Sequence, residues 1–287
     1  MKIIAGINAF VIAASASAAL ADPGALPQRS DALAAHRVGQ ILDYSLQGNM
    51  AQSIDGKDAF GRAIHQNAMP TTINGRERIA FKRLSASSMF ISRSGSLTAT
   101  VAGKSRPIRG VGHTVVDPSG TITRDRGTIG GVFLLPLAFL GQRSMHAGAD
   151  LVVGDSWSGQ LGTKLFGMTA RPRLRYTVTG RRSVLGVQVF TISASGQTKM
   201  KEPVSTDAGV AVGNAVGSAT VSMSIDYDRD NQRVVSMDLR LSDALHYAIA
   251  PGHHGGVVRD RQQYLVALDA SSMLNAAPSA ADAGSQR

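Results

Sequence analysis

From about His36 to Asp269 the chain alternates apolar and polar residues with a period of two, the pattern of a strand that buries one face. The clearest case is residues 220–227. Val221, Met223, Ile225 and Tyr227 share one face, and Thr220, Ser222, Ser224 and Asp226 share the other. Asp228-Arg229-Asp230-Asn231-Gln232 then supplies turn formers, and the chain returns with Val235, Met237, Leu239 and Leu241 on one side and Ser236, Asp238 and Arg240 opposite. This reads as an antiparallel hairpin. A helix cannot use such a period, because its faces repeat every 3.6 residues.

The same reasoning places strands at Leu174-Tyr176-Val178, at 184–192, and at Leu97-Ala99-Val101. Val115-Val116 and Ile122 flank the turn Asp117-Pro118-Ser119-Gly120. A last strand over about 257–268 is mostly apolar, so it is expected to sit centrally or to bury both faces. Two stretches depart from the alternation. Residues 132–140 form an apolar run split by Pro136, too short to span a bilayer as a helix, and are expected to be a buried crossing, a ligand-facing flap or a partner surface. Residues 204–218, rich in Gly, Ala and Val, read as a mobile loop. The fold expected is all-β: a large curved antiparallel sheet, a half-barrel or two β-meander halves (36–150 and 151–269), with one or two short helices. A lead-in occupies 22–35, and residues 270–287 read as a disordered tail.

The first 21 residues read as a cleaved secretory signal. Lys2 opens a short positive region, 3–12 form an apolar core, and Ala19-Leu20-Ala21 is a small-x-small cleavage site followed by Asp22-Pro23. The expected product is periplasmic or extracellular, with no transmembrane segment after cleavage. The chain has no cysteine, which removes disulfides, thiolate metal sites and a lipid-modified amino terminus. Removing 21 residues leaves 287 − 21 = 266, and removing Lys2 leaves a formal charge of 29 − 20 = +9. That excess favours anionic partners, and the arginines are too dispersed for a nucleic-acid arm. The expected partner is a lipid or an anionic envelope component, with no nucleic acid and no cofactor. Aromatics make up 5% of the chain, and Ser285-Gln286-Arg287 is not a terminal aromatic strand, which argues against an outer-membrane barrel.

Several constellations bear on chemistry. Asp226-x-Asp228-x-Asp230-Asn231 opens like a calcium loop but lacks its glycine and its final glutamate, and reads as a turn. His246, His253 and His254 are the weak candidates for a metal site, although adjacent histidines on an extended chain point apart. Ser156 and Ser158 offer hydroxyls without a placed base. Acids in clear strands are expected on solvent faces, so paired catalytic carboxylates are not argued. Arg173 and Arg175 share one strand face, with Arg171, Arg181 and Arg182 nearby, and could receive phosphate or carboxylate. The alternative is that acids on neighbouring strands, such as Asp226 or Asp238, balance them.

Leu151-Val-Val-Gly154-Asp155-Ser156-Trp157 is followed by Tyr176-Thr-Val-Thr-Gly180, the 186–192 strand and Ser224-Ile-Asp226-Tyr-Asp228. This succession resembles secreted bacterial β-rich proteins with a Gly-Asp-x-Trp motif, and it is broadly similar to periplasmic lipoprotein-carrier half-barrels. The resemblance implies a half-barrel fold. In physical terms, Gly154-Asp155 makes a turn and Trp157, the only tryptophan, anchors the sheet. The function expected is that of a soluble exported non-enzymatic envelope protein binding an apolar or anionic ligand, with Arg173, Arg175, Phe133, Leu135, Phe139 and Trp157 as contacts. The alternatives are a secreted hydrolase with a dispersed active site and a structural or adhesion module.

Overall fold

The structure is a computed structural model. It describes residues 39–57, 60–67, 70–84, 88–101, 103–116, 122–127, 135–144, 151–162, 168–205, 211–231, 233–248 and 255–274. The expected export signal (1–21) and lead-in (22–35), Phe133, His253, His254 and the residues beyond 274 lie outside these residues.

Twelve strands form one antiparallel sheet that does not close. They are β1 (Ile41–Lys57), β2 (Ala63–Asn67), β3 (Thr71–Leu84), β4 (Met89–Val101), β5 (Lys104–Val116), β6 (Ile122–Gly127), β7 (Ser156–Gln160), β8 (Arg173–Val184), β9 (Val187–Ser205), β10 (Ala211–Asp228), β11 (Arg233–Ala248) and β12 (Gly255–Leu268). Two short helices accompany them, α1 (Leu135–Ser144) and α2 (Ala270–Leu274). β2 and β3 lie end to end on the same side of β1, pairing with its two halves. Pro70 sits at their junction, where a missing backbone donor is tolerated.

The strand order is β6-β5-β4-β3-β1-β12-β11-β10-β9-β8-β7. The first and last strands therefore pair, Tyr44 with Leu268 through Gly56 with Gly256, and the meander bends round on itself. Its two edges are β6 and β7, which are neighbours in sequence. Ten antiparallel steps separate them along this path, so the two edges run in the same direction. Parallel neighbours cannot be joined by a hairpin and need a crossover, which is where α1 lies. One backbone hydrogen bond spans the seam: Ile122 N donates to Gly162 O at 3.3 Å.

The inner face is mainly apolar. The paired residues Leu46, Val266, Met237, Ile225, Ile192 and Val178 form one continuous buried row across six strands. The outer face is made of Ser, Thr, Gln and Arg, for example Ser193, Ser195, Gln197, Ser222, Ser224, Arg240 and Gln263. A membrane-spanning barrel has the reverse polarity, with apolar side chains outward. Among the described residues no helix is long and apolar enough to cross a membrane.

Helix α1 begins within the apolar run, with Pro136 in its first turn, where a missing N–H costs nothing. Leu135, Leu137, Ala138 and Phe139 are all buried, and the helix packs against β11 on the inner face. The described part of the run, 135–139, is thus buried rather than an exposed surface. Helix α2 is held by Arg233, whose guanidinium donates to Asp228 Oδ2 at 2.9 Å and to the carbonyls of Ser272 and Met273 at 3.1 and 3.4 Å.

Two expectations are corrected. Within 204–218, the described residues complete β9 and build β10, so 204–205 and 211–218 are strand rather than loop. Residues 270–274 are helical rather than part of a disordered tail. Strand β12 is central, between β1 and β11, the first of the two expected placements, and it buries one face: Val258, Tyr264 and Val266 point in, and Arg259, Arg261 and Gln263 point out.

Candidate functional site

Four aromatic rings meet on the inner face beside the seam. Tyr176 of β8 and Tyr227 of β10 are inner residues of their strands and are fully buried. Phe139 of α1 lies between them, with ring centroids 5.9 Å from Tyr176 and 5.7 Å from Tyr227. Trp157 of β7 pairs across to Tyr176 and stacks on it at 5.3 Å, with 10° between the planes. Such offset contacts add to the area these rings bury. The turn that delivers Trp157 is the expected one. Gly154 has φ +103°, which a side chain would strain, and Asp155 Oδ2 accepts from Val152 N at 2.8 Å. Of the expected apolar contacts, Leu135, Phe139 and Trp157 therefore converge on one side of the sheet. Tyr176 and Tyr227 were missed, although both lie at inner positions of strands whose alternation was read.

The same face carries polar atoms that are buried without partners. Among the described residues, the Tyr176 hydroxyl, the Tyr247 hydroxyl, Asp260 Oδ1 and Glu77 Oε2 have no hydrogen-bond partner. All four side chains lie on inner positions, in β8, β11, β12 and β3. A buried donor or acceptor left unpaired costs about 1–3 kcal/mol. Burial also holds the Tyr176 phenol above its ordinary range. The Tyr247 ring reaches over Gly56 and Gly256, where a methyl group on either glycine would come within 2.8 Å of its hydroxyl. Those glycines make room for the tyrosine.

The acids depart from expectation, because several point inward. Asp243 and Asp260 face each other across β11 and β12 and are buried, with Asp260 N donating to Asp243 Oδ1 at 3.1 Å. Burial raises the Asp260 carboxyl above its usual range, against a hydrogen bond from Gln52. On β3–β6, Arg93 is enclosed by polar groups. It donates to Glu77 Oε1 at 3.0 Å, Thr114 Oγ1 at 2.8 Å and Asp125 Oδ1 at 2.5 Å. Burial pushes Glu77 up to about 7 in spite of Arg93, and the Asp125 charge adds to the rise.

Arg173 and Arg175 lie on the opposite, outer face and are exposed, so they cannot share a site with the aromatic cluster. Asp226 and Asp238 do not balance them. Asp226 is held by Arg182, Thr191 and Ser236. Asp238 is held by Arg240 and Gln263. Arg181 lies over the Phe190 ring at 4.4 Å. His246 is exposed on the outer face of β11, and among the described residues no three metal-ligating side chains gather. Asp228 does form the expected turn contact, accepting from Asn231 N at 3.1 Å. Both Asp226 and Asp228 are also buried ion-pair partners, of Arg182 and Arg233 respectively, which a turn alone does not require.

No protein-family model matches the sequence, and no curated protein does. Among solved structures, the chain is similar to a mutant of the Rh. blastica porin at 9% identity over 79% of this chain and 100% of that one, with a TM-score of 0.23. A second similarity is to the attachment invasion locus protein of Yersinia pestis, solved with the heparin analogue sucrose octasulfate. It has 9% identity over 79% of this chain and 99% of that one, with a TM-score of 0.18. At these scores neither superposition establishes a shared fold.

Proposed function

We infer that this chain is a non-enzymatic envelope protein that holds an apolar molecule on the inner face of its curved sheet, beside α1 and the Phe139–Tyr176–Trp157 cluster. The observation that carries this reading is the Tyr176 hydroxyl, which is buried among apolar groups and has no partner. A ligand with an apolar body and one acceptor, such as a fatty acyl chain with its carboxyl or ester, would satisfy it. Helix α1 already packs on the inner face, and the guest would lie beside it. The export signal expected at residues 1–21 would deliver the protein to the envelope.

Trp157 makes the test direct, because it is the chain's single tryptophan and it stacks on Tyr176. Delipidated protein is titrated with parinaric acid, and energy transfer from Trp157 is followed. Saturable transfer is expected, with Tyr176→Phe weakening it on the order of tenfold, the worth of one hydrogen bond. A titration with no saturable transfer would sink the proposal.

A further inference from the structure

The outer face of β8 and β9 carries a feature that the inner site does not use. Facing away from the interior, β8 presents Arg173, Arg175, Thr177 and Thr179, and β9 presents Ser193, Ser195, Gln197, Lys199 and Lys201. The four basic side chains are exposed. The outer positions of β10 beside them, Asn214, Val216, Ser218, Thr220, Ser222 and Ser224, contain no acid.

Elsewhere on this face four arginines have carboxylates. Arg78 pairs with Asp43, Arg182 with Asp226, Arg240 with Asp238 and Arg259 with Asp55. Arg173, Arg175, Lys199 and Lys201 have no ion pair among the described residues. Like charges on adjacent strands repel, so the free protein gains nothing from gathering four of them here. An anion brought to the patch would reverse that balance.

We propose that this patch docks the protein on an anionic lipid bilayer, with headgroup phosphates as the counter-charge. The four charges spread over two strands of a convex surface, so they face an extended plane rather than lining a groove that would enclose a linear polymer. Hydroxyls and amides surround them, which suits a hydrated headgroup layer. Arginine contributes paired donors to a phosphate, and lysine a compact charge. This docking stands on the outer face alone, and it goes beyond the inner ligand site.

The experiment is co-sedimentation of the whole protein with phosphatidylcholine vesicles, with and without phosphatidylglycerol. Binding is expected on the anionic vesicles only, and to vanish at about 1 M salt, where the screening length falls to about 3 Å. Each basic residue near an anionic surface contributes roughly fivefold in partitioning. R173Q/R175Q should therefore cost on the order of twentyfold, and R173Q/R175Q/K199Q/K201Q several hundredfold. These positions are exposed, so circular dichroism should show the variants folded. Equal binding to neutral vesicles, or unchanged binding by the fourfold variant, would overturn the proposal. Retention on dextran sulfate without vesicle binding would also overturn it, in favour of a polysaccharide. Parinaric acid titration without vesicles reads the inner site separately, so either idea can fail alone.

Discussion

Glu77→Gln isolates one buried charge, and its consequence can be worked from the surroundings. The Glu77 side chain is 1% exposed and is paired with Arg93, itself 1% exposed. Burial raises the folded-state value to about 7 from an ordinary 4.5, so the native state binds this proton more tightly than the unfolded chain does. Below pH 4.5 both states are protonated and the group has no effect on stability. As pH rises towards 7 the unfolded chain ionises first, and stability falls by about 1.4 kcal/mol per unit, or about 3 kcal/mol in all. Above pH 7 the contribution is flat. Asp260, whose carboxyl is also raised, adds a slope of the same sign, but it is common to both proteins and cancels in the comparison. Glutamine keeps an acceptor for Arg93, which also retains Asp125 and Thr114. Urea unfolding at pH 5 and pH 8 should thus show wild type losing about 2–3 kcal/mol more than Glu77→Gln across that interval. Equal losses in the two proteins would refute the assignment of this slope to Glu77.

Arg233→Met should destabilise by about 3–5 kcal/mol, because Asp228 is left buried and charged, and adding Asp228→Asn should recover part of the loss in thermal melts. Gly48→Ala should cost about 1–3 kcal/mol, since a methyl group there would stand 2.6 Å from the Tyr264 ring, and a melting curve unchanged from wild type would contradict that crowding. Tyr176→Phe should leave the ligand-free protein no less stable, because its hydroxyl has no partner to lose, and urea midpoints read this directly.

Much of the sheet was legible in period-two alternation, because one buried face fixes both strand and register. Val221, Met223 and Ile225 meet Leu241, Leu239 and Met237, the inner residues expected of the hairpin. The carboxylates were misplaced for a specific reason. Charge by itself points to solvent, yet the alternation Leu241-Asp243-Leu245 and Val258-Asp260-Gln262 puts both acids inside. The same holds for Arg93, between Ile91 and Leu97 on the inner side of β4. Strand β10 was partly hidden by composition. Gly217 is small because a Cβ there would meet Ala244 O at 2.3 Å, so close strand packing looked like a flexible loop. The pairing of β1 with β12 joins residues 200 or more apart and leaves no local signal.

The position of α1 follows from the topology, and that gives a last test. With β2 and β3 on one line, eleven strand positions lie along the path of the sheet, and an odd number leaves its two edges, β6 and β7, running in the same direction. A hairpin cannot join them, so the connection must cross over, and its apolar residues are drawn to the only apolar surface available, the inner face. The helix is then both connector and filling, and its Phe139 touches the two tyrosines of the candidate site. Phe139→Ala should cost about 3–5 kcal/mol in ligand-free protein, the usual loss for a fully buried phenylalanine. If the inner face takes an apolar guest, parinaric acid should recover part of that loss by filling the space, and the melting shift on adding it should be larger in the variant than in wild type. A variant as stable as wild type would mean that α1 does not pack as the inner core. A destabilised variant with no added response to the probe would separate the core role of Phe139 from ligand binding.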